Sequence, residues 1–315
     1  MSNISRMRGV VTALVALVAA ATAGSAQTQH GEWTLGSSES AGKVRFSMQG
    51  SEHGGRFSSS SDWNVSDLRG LDLKTPGKHD VRFTIARDAG NIEAEGFVQN
   101  GEGAGLYTFQ GNPRYKSQME ALGFPGVTDD RLLAFAMHDV SLEFVRAIKQ
   151  AGVRGLDTDK LIAFRIHGVT PEFIRDLRQT GIGAVDADKL IAFRIHGVSP
   201  EFVKALRAAG VDEKDPDKLI AFRIHGVSPD FVQGLRTAGL QVNDHDKLIA
   251  FRIHGVSPDY VKELGRLGYP HPEPDQLIAL RIHGVTPEYI EKLRSRGLQN
   301  LTLDQLVNLR IHGID

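Results

Sequence analysis

The sequence predicts an α+β protein, mainly α, in which a small antiparallel β domain is followed by an α-solenoid of two-helix, 29-residue repeats. Three observations carry that reading. Histidines stand at 138, 167, 196, 225, 254, 283 and 312, each 29 residues after the last, and their neighbourhood recurs with them. The stretch from about Gly31 to Gln110 instead alternates polar and apolar residues with period two. The composition, 41% hydrophobic and 24% charged, is that of a globular chain and excludes wholesale disorder, a collagen or a polytopic membrane protein.

In chain order, residues 1–26 read as a secretory signal peptide. Arg6 and Arg8 form a positive start, Val10 to Ala23 is a run of small and apolar residues, and Ala23 or Ala26 can precede a cleavage point. The alternative is an uncleaved anchor, but the run is short of the ~20 apolar residues that a bilayer needs. The protein is thus expected to be exported, periplasmic or extracellular, with no membrane attachment after cleavage. The absence of Cys excludes disulfides, thiolate metal sites and a Cys nucleophile, so packing alone must hold the fold. A net charge of -1 offers no footprint for nucleic acid.

Residues 27–111 form the β-rich domain. Val44, Phe46 and Met48 alternate with Lys43, Arg45 and Ser47, and Val81, Phe83 and Ile85 alternate with Arg82 and Thr84. Ile92, Ala94 and Val98, then Leu106 and Phe109, mark further strands. Asp88-Ala89-Gly90-Asn91 and Asn100-Gly101-Glu102-Gly103 are hairpin breaks. The pattern suits a sheet with one buried face.

Residues 112–315 form the solenoid. Asp-Lys-Leu-Ile-Ala-Phe-Arg-Ile-His-Gly begins at Asp159, Asp188, Asp217 and Asp246, with looser copies from Asp130, Asp275 and Asp304. Asp157, Asp186, Asp215, Asp244 and their equivalents cap a first helix that ends at the His, and the following Gly supplies a left-handed stop. Ser199-Pro200-Glu201 and its equivalents are the cap, first-turn proline and acid of a second helix. Glycines such as Gly181 and Gly210, each followed by an apolar residue, end it. Phe202, Val203 and Leu206 fall on one stripe of the second helix, opposite Glu201, Lys204 and Arg207, so this helix has a wet face. In the first helix Leu190, Ile191, Ala192, Phe193 and Ile195 go nearly all round, which predicts a helix mostly buried between its neighbours. The array opens with a half unit capped by Asn112 and closes with a lone helix from Asp304 to His312. Six two-helix units lie between, fourteen helices in all.

The wording His-Gly-Val-[Ser/Thr]-Pro-[Glu/Asp]-[Phe/Tyr]-[Ile/Val], from His167, His196, His225, His254 and His283, resembles helical repeats of exported bacterial proteins. Similar repeats occur attached to membrane metallopeptidases of the penicillin-sensing antirepressor type. The resemblance covers residues 112–315 and implies no catalytic residue, because the chain has no His-Glu-x-x-His.

Two rows of side chains are candidates for a site. The His row is read as helix-ending rather than metal-binding. Zinc needs nitrogens ~2.0–2.1 Å from one ion, whereas stacked helices stand ~8–10 Å apart. Arg165, Arg194, Arg223, Arg252, Arg281 and Arg310 stand two residues before the last six of these histidines, between apolar positions. The first reading is a structural ladder in which a buried guanidinium finds a carboxylate or carbonyl, with first-turn acids such as Asp188 or Glu201 as candidates. The second is a row lining a concave face, able to hold an acidic peptide or a carboxylate-bearing ligand. Ser40-Ala41-Gly42-Lys43 matches the Ser-x-x-Lys spacing of penicillin-binding enzymes but leads into a strand, not a helix. Gly101, Gly103 and Gly105 read as a glycine-rich hairpin rather than a dinucleotide loop. His30, His53 and His79 are scattered.

These features point to a non-catalytic protein that binds a protein or peptide partner and needs no cofactor or metal. The alternatives are a regulatory or sensor module beside an envelope metallopeptidase and an enzyme with its site in the β domain. N-terminal sequencing of the exported form should find Gly24 or Gln27 first; a chain retaining Met1 to Ala23 would remove the signal-peptide reading.

Overall fold

The computed structural model describes residues 28–52 and 55–314; the segment read as a signal peptide and His53 lie outside them. Two compact units divide the chain. The first runs to Lys149 and takes in Asp157–Ile166; the second holds Gln150–Leu156 and the chain from His167 onward.

In the first unit, β1 (Thr28–Ser37), β2 (Lys43–Glu52), β3 (Gly55–Asn64), β4 (His79–Arg87), β5 (Gly90–Gln99) and β6 (Glu102–Gly111) make one antiparallel sheet in the order β3-β2-β1-β6-β5-β4. Two three-stranded meanders therefore meet along the β1–β6 pair. Alternation sorts the side chains: Trp33, Phe46, Met48, Phe83, Ile92 and Phe109 are buried, while Arg82, Glu93 and Glu95 on the opposite face are open to water.

The sheet rolls over its apolar face. Phe46 on β2 and Phe83 on β4 lie 5.8 Å apart although three strands separate them along the sheet, and Trp33 touches both. Glycine makes the space for that indole, since a Cβ on Gly96 would stand 2.8 Å from its ring. At the β3–β4 seam, Arg69 exchanges two backbone hydrogen bonds of 2.9 Å with Thr84, Leu68 is buried, and Arg87 pairs with Asp67. Both hairpins on either side of β5 turn in two residues, inside the two breaks expected from the sequence. Asn100 (φ 54°) and Gly101 (φ 82°) supply the paired positive φ values of a type I′ turn, which matches the twist of the strands.

Fourteen α-helices follow among the described residues, the number expected. Four begin in the first unit: α1 (Pro113–Ala121), α2 (Asp129–Met137), α3 (Leu142–Gln150) and α4 (Thr158–His167). Helix α2 lies on β5 and β6, and the Asp88 carboxylate accepts from the Leu142 amide at 2.9 Å. The change from strand to helix thus falls at residue 112, but the first helices are compact with the sheet.

The second unit contains α5 (Pro171–Gln179), α6 (Ala187–His196), α7 (Pro200–Ala208), α8 (Pro216–His225), α9 (Pro229–Thr237), α10 (His245–His254), α11 (Pro258–Arg266), α12 (Pro274–Ile282), α13 (Pro287–Ser295) and α14 (Leu303–Ile311). Even-numbered helices are the first helices of the repeats, odd-numbered ones the second. First helices pack on first helices and second on second, which makes a two-layer stack. The caps lie where the pattern puts them: Asp186 accepts from the Lys189 amide at 2.9 Å and Ser199 from the Phe202 amide at 3.2 Å. Gly197 takes φ 73°, and the Val198 amide reaches back to the Phe193 carbonyl at 2.7 Å, a Schellman closure.

One expectation fails. The first helix is not buried nearly all round: Leu190 and Phe193 are enclosed, but Ile195 is 56% exposed. Helix α6 packs on α8, and the side that carries Ile195 faces solvent.

Phe193 and Phe222 are completely buried. Phe193→Ala should cost ~3–5 kcal/mol in urea unfolding. Deleting the single period Ala187–Asp215 should leave a folded, shorter protein, because neighbours in a stack contact only each other. A silent Phe193→Ala together with an unfolded deletion would contradict the stack.

Candidate functional site: the exposed face of the first helices

The open face of each first helix is written at positions i, i+3, i+4 and i+7: Asp188, Ile191, Ala192 and Ile195 in α6. Its apolar end repeats from Ile166 onward. Ile195, Ile224, Ile253, Ile282 and Ile311 are each 54–57% exposed in the second unit, and Ile166 matches them in the first. Isolated exposed isoleucines are ordinary; a row at one position of every repeat is a surface feature.

The Arg row runs beside it. Arg194 Nε donates to the His167 carbonyl at 3.0 Å, Arg223 to His196 at 3.2 Å, Arg252 to His225 at 3.3 Å and Arg281 to His254 at 3.4 Å. Each guanidinium thus caps the first helix of the preceding repeat. It also lies over a ring of the preceding second helix: Arg194 over Phe173, Arg223 over Phe202, Arg252 over Phe231 and Arg281 over Tyr260, at 4.8–5.1 Å. Arg310 stacks on Tyr289 in the same way at 4.8 Å. The stop glycine has a second role here, since a Cβ on Gly197 would stand 2.8 Å from Arg223 Nη2.

The expected Arg–acid ladder is therefore corrected in the second unit. Among the described residues, Arg194, Arg223, Arg252 and Arg281 have carbonyl and ring partners but no carboxylate. Stacked helices align like ends, and Asp188 lies six residues, ~9 Å of helix, from Arg194. The first-turn acids instead meet lysines: Lys189 pairs with Asp217, Lys218 with Asp246 at 3.0 Å, and Lys247 with Asp275. These hydrogen bonds hold the three ammonium groups above their ordinary pKa. The recurring Asp-Lys dipeptide carried this signal in the sequence, but pairing needs the register of the stack.

The first unit differs at the stop position of its first repeat. Asp139 (φ 52°) occupies the left-handed position that Gly168, Gly197, Gly226 and Gly255 hold later. Its carboxylate takes Arg165 Nη2 at 2.7 Å while Arg165 Nε keeps the His138 carbonyl at 3.0 Å. Arg87 approaches the same carboxylate at 3.4 Å.

The histidines end their helices, and His196 and His225 are exposed. His312 has a ring nitrogen 2.8 Å from the Asn308 carbonyl. Burial and the Arg165 charge push His138 below the ordinary value. Among the described residues no three His, Asp or Glu side chains converge as metal ligands. A second row of arginines closes the second helices: Arg178, Arg207, Arg236 and Arg294 donate to the carbonyls of Ala151, Thr180, Ala209 and Leu267.

In the sheet, Ser40-Ala41-Gly42-Lys43 forms the turn into β2, where the Lys43 amide donates to the Ser40 carbonyl at 3.2 Å. Gly101 lies in the hairpin turn, Gly103 and Gly105 on β6. Tyr107 points into the rolled interior, and burial pushes its hydroxyl up to about 12. No family model matches the chain, and no curated protein matches it significantly.

Arg223→Ala removes a charge-assisted cap and a cation–π contact at a part-exposed site and should cost about 1–2 kcal/mol. His225→Ala should cost less than about 1 kcal/mol. Gly197→Ala should be destabilising through both its positive φ and the guanidinium. In a double-mutant cycle by chemical denaturation, Arg223→Ala should then relieve part of the Gly197→Ala penalty; strict additivity would show that the glycine does not seat the arginine.

Proposed function

We propose that this is an exported, non-catalytic repeat protein whose helical array binds a protein or peptide partner in the bacterial envelope or outside the cell. The observation that carries the proposal is the isoleucine row, one large aliphatic side chain left open at the same place in six successive first helices, from Ile166 to Ile311. Folding does not need these side chains exposed, since Leu190, Phe193 and their equivalents already fill the stack. A regular apolar row rimmed by charge is the kind of surface that partners cover.

The charged side chains support a binding role over a catalytic one. The lysines and first-turn aspartates neutralise each other between repeats, and the arginines cap helices, so they are engaged in architecture. In the sheet the buried face is filled by Trp33, Phe46 and Phe83 rather than by an acid facing a base. A nearly neutral chain suits a protein partner better than nucleic acid. The apolar run at Val10–Ala23 supports export.

Ile224→Ser with Ile253→Ser tests this. Both residues are exposed, so thermal unfolding should stay within a few degrees of the wild type. A partner that cross-links to the wild-type protein in envelope extract should be lost or weakened at least tenfold in the double variant. Undiminished capture would move the interaction away from this face.

A further inference from the structure

We infer that the segment held on this face is an extended acidic peptide, whose carboxylates seat on Arg194, Arg223, Arg252 and Arg281 while its apolar side chains cover the isoleucine row. The inference deepens the binding role proposed above and rests on it.

The first repeat supplies the pattern. Arg165 holds the carbonyl of the helix before it through Nε and a carboxylate, that of Asp139, through Nη2 at 2.7 Å. Each later arginine keeps the Nε–carbonyl bond and the ring beneath it. Gly168, Gly197, Gly226 and Gly255 replace the aspartate, so the carboxylate is gone and the guanidinium itself stands against the glycine, its Nη2 2.8–3.0 Å from where a Cβ would be. A guanidinium has five donors in a fixed fork, and only Nε has a hydrogen-bond acceptor among the described residues in these four. The result is a pre-organised row of cations, one per repeat, with no carboxylate of its own. Each is adjacent in sequence to an exposed isoleucine.

The spacing favours a peptide. Stacked helices stand ~8–10 Å apart. A polyproline II segment advances ~9 Å per three-residue turn and presents every third side chain on one face. One carboxylate every third residue then meets one arginine per repeat, with an apolar residue between for each isoleucine. An anionic lipid surface fits less well, because the apolar element is one aliphatic side chain per repeat and the whole chain carries -1.

The test is fluorescence anisotropy with the full exported chain and a labelled peptide of four Glu-Leu-Ser triplets. This peptide should bind at least tenfold more tightly than its Gln-Leu-Ser and Glu-Ser-Ser counterparts and weaken as salt rises. Gly197→Asp with Gly226→Asp, which copies Asp139, should supply internal carboxylates and lower affinity at least fivefold. Gly197→Asn with Gly226→Asn tolerates the same φ without the charge and should retain binding. Equal binding of Gln-Leu-Ser and Glu-Leu-Ser, lost in Ile224→Ser, would overturn the acidic partner and leave the peptide-binding role standing. Binding indifferent to Ile224→Ser and to the aspartates would overturn both. No binding by any peptide, or binding only to phosphatidylserine vesicles, would overturn the acidic-peptide inference.

Discussion

Each helix ends in carbonyls that its own turn cannot satisfy, and at eight helix ends, from Ala151 to Leu267, an arginine of the next repeat donates to one of them. This is the constraint on which the rest of the second unit depends. In the first helices an arginine caps the C-terminus 27 residues earlier, and in the second helices another arginine does the same. A helix end left without partners costs free energy, so a lone repeat has reason to recruit a neighbour beyond the burial of Phe193 or Leu206. The aromatic ring beneath each guanidinium ties the two layers into the same contact.

That arrangement explains the identity of the stop residue. A left-handed position alone would accept Asn or Asp as well as Gly, as Asp139 shows. From Gly168 to Gly255 the next arginine's Nη2 lies 2.8–3.0 Å from where a Cβ would be, so any other residue there has to displace the guanidinium. At Asp139 the carboxylate is used instead, between Arg87 of the sheet and Arg165 of the array. One position thus serves as an internal ion pair at the start of the array and as the seat of a guanidinium further on.

The sheet solves a different problem. Six strands with one apolar face need that face covered. The chain covers it by rolling the sheet around Trp33, using glycines on β5 and β6 to admit the indole, and by closing the seam with the stretch around Leu68. The helices α1 to α3 then add to this unit. The alternation of polar and apolar residues was visible from Gly31 to Gln110; the roll was not, because it depends on contacts between strands far apart in the chain.

The sequence by itself determined the period, the two helices of each repeat, their caps and stops, and the number of helices. All of these depend on residues within one turn of each other, where local chemistry decides. Which face of the first helix is open, which cation meets which acid, and what the Arg row touches were decided only by tertiary structure. Ile195 and Leu190 are equally apolar in the sequence, yet the stack has neighbours for one and none for the other. Arg194 and Asp217 could pair on charge alone, but parallel helices bring start against start and end against end, so Lys189 takes Asp217 and Arg194 takes the His167 carbonyl.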